Sequence, residues 1–242
     1  MKQILLVLFL FTGFASFGQI DIWGKIQGNG NLQKETRKTG TYTAISVAGS
    51  MHVEVIYGNS NSIEVEADEN LLPYIITEVK GNELVIKTKN FTSINSRHKM
   101  TVYATVTRVN SLHLSGSGSI TGEGNFSNDG KTDIRISGSG HVRMSFSQAG
   151  SLYVAISGSG NIKLDGSAST VDASISGSGN ADCTGVVCTD ASARISGSGN
   201  VRIFANRSIN ASLTGSGNVY YSGPATDVRQ RTSGSGKIIK LA

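Results

Sequence analysis

Among the carboxylates of the repeats, Asp165, Asp172, Asp182 and Asp190 come singly, with Asp129 and Asp133 before them. Cutting a glycosidic bond needs two carboxyl groups across one sugar, or a calcium cluster with a base beside it. Asp129 with Asp133, or Asp182 with Asp190, would qualify only if the fold brought them into one groove with a basic partner. The histidines are His52, His98, His113 and His141, and none stands in a metal-binding or nucleophile-elbow pattern. They read as scattered surface residues, with His113 and His141 close enough to one another in the repeat to pair across windings. Cys183 and Cys188 are the only cysteines, so either one disulfide or two buried small apolar side chains is expected. Two sulfurs are too few for zinc, and without a Cys-x-x-Cys spacing they are not a redox pair. Arg143, Lys163 and Arg202 share one face, with Arg135 and Arg194 on the preceding strand. That basic set is the candidate for a glycan-facing patch. No catalytic, cofactor-binding or metal-binding residue is assigned.

The elements that hold these residues are set by one phrase repeated seven times. An aliphatic residue and a Ser or Thr precede Gly-Ser-Gly at Leu114–Gly118, Ile136–Gly140, Ile156–Gly160, Ile175–Gly179, Ile195–Gly199 and Leu213–Gly217. A last copy, with Thr232 in the aliphatic slot, ends at Gly236. The leading Ser or Thr recurs at spacings of 22, 20, 19, 20, 18 and 19 residues. A period near 20 is the signature of a solenoid. Its corner glycines are Gly116 and Gly118, Gly138 and Gly140, Gly158 and Gly160, Gly177 and Gly179, Gly197 and Gly199, Gly215 and Gly217, and Gly234 and Gly236. In such a coil equivalent positions stack at about 4.8 Å and form files.

Two files are apolar and expected inside. One is Leu114, Ile136, Ile156, Ile175, Ile195 and Leu213, and the other is Ile120, Val142, Ile162, Ala181, Val201, Val219 and Ile238. Between them run the middle serines, from Ser117 to Ser235, and then Asn161, Asn180, Asn200 and Asn218, whose amides are expected to bond along the stack. A flexible Gly-Ser linker would need neither fixed spacing nor apolar files. Each repeat reads as two strand segments, Asn161–Leu164 and Val171–Ile175 in one case, joined by a turn over Asp165–Thr170. The fold class is therefore all-β, a right-handed parallel β-helix of about 20 residues per coil, the hand following from the crossover rule.

Thirty glycines against two prolines, and only 7% aromatic residues, suit a narrow repetitive β-structure better than a thick core. The formal net charge of +5 includes no Lys/Arg block, and there are no aromatic platforms, so nucleic acid is set aside. Residues 1–18 read as a signal peptide: Lys2, the apolar run Ile4–Phe11, and Ser16-Phe17-Gly18 before cleavage. That run is too short to span a bilayer, and no later segment is long enough. The mature chain, 19–242, reads as one domain, irregular and β-rich over 19–110 and regular over 111–242. The irregular part is the expected N-terminal cap, because an open solenoid end exposes strand edges. Within it Gly28-Asn29-Gly30-Asn31-Leu32 reads as a worn first corner. Strands are expected on either side of Ala48-Gly49-Ser50, a short helical turn capped by Asp68-Glu69-Asn70, and a hairpin across Lys80-Gly81-Asn82. At the far end Lys237 and Lys240 flank the last strand and discourage edge-to-edge pairing.

At its Gly-Ser-Gly-Asn corners the sequence resembles the head-GIN domain family, exported bacterial β-solenoids labelled autotransporter adhesins. The likeness extends to Ile45-Ser46-Val47-Ala48-Gly49-Ser50, to Ala67-Asp68-Glu69-Asn70-Leu71-Leu72 and to Gly223-Pro224. It implies the same fold and an adhesive role. An autotransporter is expected to bring an outer-membrane barrel, and none follows Ala242, so another route to the surface, or a periplasmic place, is expected. The expected function is a non-enzymatic, exported module of the cell envelope that binds a glycan or a surface protein, needs no cofactor, and lies in the periplasm, on the surface or outside the cell. The competing expectations are a polysaccharide-active β-helix enzyme and an envelope-stress or signalling module.

Overall fold

The computed structural model describes residues 25–90 and 93–241. The signal-peptide reading of residues 1–18 lies outside the described residues. The chain is a β-solenoid of about 6 turns with parallel bridges roughly 20 residues apart.

In chain order the N-terminal strands are β1 (Lys25–Gln27), β2 (Leu32–Arg37), β3 (Ala44–Gly49), β4 (His52–Tyr57) and β5 (Ser62–Asp68). A 3-10 helix at Glu69–Tyr74 leads to β6 (Ile75–Lys80), β7 (Glu83–Thr88), β8 (Ser93–Asn95) and β9 (Thr101–Val106). The regular part holds β10 (Ser111–Gly116), β11 (Ser119–Gly138), β12 (His141–Gly158), β13 (Asn161–Gly177) and β14 (Asn180–Gly197). It ends with β15 (Asn200–Phe204), β16 (Ser208–Gly215), β17 (Asn218–Ser222), β18 (Asp227–Ser233) and β19 (Lys237–Lys240).

The corners stack in perfect register. Ser115 pairs with Ser137, Ser137 with Ser157, Ser157 with Ser176, Ser176 with Ser196, and Ser196 with Thr214. The file continues N-terminally, because β10 pairs with β3 and sets Ser115 on Ala48 and Gly116 on Gly49. Both apolar files face inward. Leu114, Ile136, Ile156, Ile175, Ile195 and Leu213 are each at most 2% exposed, and all join one continuous core.

The two-segment reading holds for the last windings, where β15 and β16, and β17 and β18, are separate strands, but needs correction for β11–β14. β12 and β13 run from one corner to the next without a break, and Asp165, Gly166, Ala168 and Thr170 pair with the windings on either side. The bends are absorbed by register shifts between Phe146 and Ala149 and between Lys163 and Asp165. A bulge bends a strand while leaving only one residue unpaired, so a parallel coil has no need of a separate turn there.

The N-terminal end closes the stack. β7 and β9 add one further parallel layer, on β3 and β4. On top lie the antiparallel partners β6 on β7, and β5 on β9, with β2 antiparallel to β5. The hairpin across Gly81-Asn82 forms as expected, with Gly81 at φ +61. The worn corner at Gly28–Leu32 is not a winding. β1 pairs with β8 in a separate two-stranded sheet, and Asn29 and Asn31 turn to Asn70 and Glu69 in place of an Asn ladder. The sequence phrase alone could not distinguish a corner from a loop whose asparagines bond locally.

Asp68 was expected to cap the short helix, yet its side chain makes no cap bond. Fully buried, it accepts bonds from Ser96 Oγ at 3.1 Å and the Arg97 amide at 2.8 Å, and lies 2.6 Å from His98 Nδ1. Burial alone would raise its pKa, but these three partners together hold it below the usual 3.8. The carboxylate's contribution to pinning residues 96–98 is therefore whole above pH 3.8 and lost as the pH falls through the lower folded value. Following the Arg97 amide resonance on acidification should give a midpoint below 3.8. A midpoint at or above that value would contradict the assignment.

Candidate functional site

The strand before each corner carries two outward files. One runs Ser46, His113, Arg135, Ala155, Ser174, Arg194. The other, two residues earlier, runs Ser111, Asp133, Tyr153, Asp172, Ser192. Neighbouring members of the two files grip one another. Arg135 donates from Nε and Nη2 to the two carboxylate oxygens of Asp133, both at 2.7 Å. Its guanidinium also lies 5.0 Å from the Tyr153 ring centre, which Lys131 approaches to 4.7 Å. Burial works against the Asp133 charge, but Arg135 and Lys131 outweigh it and hold its pKa below the usual value. One winding apart, Arg194 donates from Nη1 to both oxygens of Asp172 at 2.8 and 3.0 Å.

The strand after each corner carries a different pair of files. Thr121, Arg143, Lys163, Asp182, Arg202 and Tyr220 form one. The basic set anticipated from the sequence is therefore divided by the corner. Arg135 and Arg194 lie on one strand of the coil, and Arg143, Lys163 and Arg202 on the next, with Asp182 set between Lys163 and Arg202 and Arg202 stacked 5.0 Å from the Tyr220 ring.

Nearer the corner is the polar ladder. Asn180 Nδ2 donates to Asn161 Oδ1 at 2.9 Å, Asn200 to Asn180 at 2.9 Å, and Asn218 to Asn200 at 3.3 Å. The Lys237 amide ends the run on Asn218 Oδ1 at 3.1 Å. Upward, the same file holds His141, Ser119 and His52. His52 is buried, with Nδ1 2.6 Å from Ser119 Oγ and Nε2 3.2 Å from Glu54. Burial, and then the Lys99 charge, lower its pKa against the pull of Glu54. Reading the histidines as scattered surface groups thus fails for His52, whose file mates could be seen only once β4 was known to precede β11. His113 and His141 lie in files on opposite sides of the corner and do not pair.

The carboxylates stay separate. Asp133 is held by Arg135, Asp190 by Arg207 and Ser208, and Asp182 by the Thr184 hydroxyl at 2.7 Å. Asp182 shares a file with Lys163, and Asp190 with Thr170 and Ser208, so the ladder sets the two in different files. Among the described residues no group of three or more His, Cys, Asp or Glu side chains is placed to hold a metal.

Cys183 and Cys188 are both buried and both free, so the disulfide is not formed in the structure. Cys188 stacks on Ala168, and its Sγ lies 2.9 Å from the Phe204 carbonyl oxygen. Burial pushes the Cys183 thiol up to about 12, helped by Asp182, and the Cys188 thiol up to about 11, helped by Asp190. Thiols this hard to ionise are poor nucleophiles. Iodoacetamide at pH 8 should leave the folded protein unmodified, and mass spectrometry should find two adducts only after unfolding.

The leading serines of the corners, Ser115, Ser137, Ser157 and Ser176, form one wall of a groove of about 390 Å³. Ser46, His113, Arg135, Ala155 and Ser174 form the other. The floor is the strand backbone at Leu114, Ile136 and Ile156. The sequence reading placed Arg135 on this strand but did not see the trench, because its depth depends on side-chain lengths in two adjacent files.

A stack of parallel windings, with no long inserted loops in its regular part, defines a β-solenoid. The chain belongs to the head-GIN domain family, described as "putative auto-transporter adhesin", which matches residues 41–225. Solved structures share the fold. A "putative adhesin" from Bacteroides fragilis superposes with a TM-score of 0.81 at 22% identity, over 89% of this chain and 100% of that one. A "putative lipid binding protein" from Parabacteroides distasonis gives 0.74 at 24% identity, over 90% and 100%. A "putative adhesin" from the same organism gives 0.71 at 26% identity, over 90% and 100%. No protein of curated function matches the chain. No helix among the described residues is long and apolar enough to cross a membrane.

Proposed function

We propose that this protein is an exported, non-enzymatic binding module of the bacterial cell envelope, which works by presenting a rigid file of side chains to an extended glycan. The axial groove along the leading serines carries this reading. A stack whose backbone bonds run from winding to winding holds its surface groups at fixed separations, so little entropy is lost when a matching ligand docks. Membership of an adhesin family supports the same reading. Each acidic residue of the grooved face is tied to a basic neighbour, which suits recognition better than proton transfer.

The test is a glycan array and a cell-adhesion assay with the mature chain, alongside fractionation of the native host. Binding to envelope or surface glycans and recovery outside the cytoplasm are expected. Cytoplasmic recovery, or no binding to any glycan or cell, would sink the proposal.

A further inference from the structure

We infer that the groove takes a linear acidic glycan of the polyuronate type, lying along the solenoid axis; this rests on the binding reading above and names its ligand class. Each winding advances about 4.8 Å, close to the length of one extended pyranose unit. Four successive windings put one serine hydroxyl each on the same wall, so a linear sugar chain meets one hydroxyl per residue. A hydroxyl both donates and accepts, as a sugar hydroxyl does. None of these four hydroxyls bonds to a protein side chain among the described residues.

The opposite wall supplies the charge selection. Arg135 donates from Nε and Nη2 to Asp133 and rests on the Tyr153 ring, which leaves Nη1 for a ligand carboxylate. Below it the wall drops to Ala155 and Ser174, which leave room for sugar rings, and the same file continues to Arg194 just past the end of the groove. The two arginines lie three windings apart, about 14 Å. Their spacing fits two carboxylates on one chain several residues apart and excludes a single small anion as the bridging ligand. Both guanidiniums are held by carboxylates before any ligand arrives, so side-chain ordering costs little on binding. Charge-assisted bonds from arginine then favour an anionic chain over a neutral one of equal length.

The experiment titrates the mature chain with an oligogalacturonate hexamer and with cellohexaose as the neutral probe. The hexauronate should bind at least about tenfold more tightly, and raising the salt should weaken it. Arg135→Gln and Arg194→Gln should each lower affinity several-fold, and Ala155→Trp, which fills the low point of the wall, should abolish binding. Lys163→Ala and Arg202→Ala, on the next strand, should leave it unchanged. Thermal melts check that each variant remains folded. No binding of the uronate, equal binding of both hexamers, binding that survives the groove substitutions, or loss on the Lys163 strand would each overturn the inference. Binding of neutral glycans or of cells in the array would leave the wider binding reading standing, so the two fail separately.

Discussion

Replacing Gly177 by alanine is expected to cost about 3–5 kcal/mol. Gly177 sits at φ +124, where an L side chain strains the backbone. Its Cβ would also come within 2.5 Å of the Gly158 carbonyl oxygen in the winding before it. That oxygen cannot retreat, because it accepts the Ser178 amide at 2.9 Å and the Gly179 amide at 3.0 Å. Gly49 separates the two causes. It occupies the same corner position at φ +107, but nothing lies within 4 Å of its Cβ, because β3 and β4 form the first full corner of the stack. Gly49→Ala should therefore cost only the backbone strain, about 1–2 kcal/mol. Urea denaturation of both variants decides the matter. Equal losses would mean that dihedral strain, and not the close approach of the windings, selects glycine at these corners.

The second large effect is expected from Phe146→Ala, at about 3–5 kcal/mol. Phe146 is 1% exposed and packs 6.4 Å, centre to centre, from Phe126, which meets Tyr57 edge-on at 5.9 Å. Phe126 and Phe146 fill the interior of the early windings, whereas Val186 and Ala205 are among the buried residues of later ones. Truncation would open a cavity that flanking strands, each bonded to two others, cannot close by moving inward. Removing the ring should lower the thermal midpoint by more than Ile203→Val does, since that change deletes a single methylene-sized group. A loss for Phe146→Ala no larger than for Ile203→Val would show that this region repacks freely.

The regular windings could be read from the chain because a parallel stack turns sequence period into spatial register. The spacing of the leading serines places Ile136 on Leu114 and Asn180 on Asn161, and both the apolar files and the Asn ladder form as that spacing requires. Asp165–Thr170 were misread as a turn, because a bulged strand and a turn share the same glycine and serine composition. The N-terminal corner at Gly28 was misread for a related reason. A single copy carries no spacing to test it against.

What the sequence alone determined is the repeating frame: the β-solenoid class, the inward files and the glycine corners. Local pattern is enough there, because each winding meets its own equivalent and imposes the same demand each time. The tertiary structure alone decided what lies between unlike residues. It buried His52 against Ser119, seated Asp68 under the 96–98 strap, and left the two cysteines free. It also cut the groove beside Arg135. Those contacts join segments with no common period, such as β4 with β11, and only the closing of the stack brings them within reach.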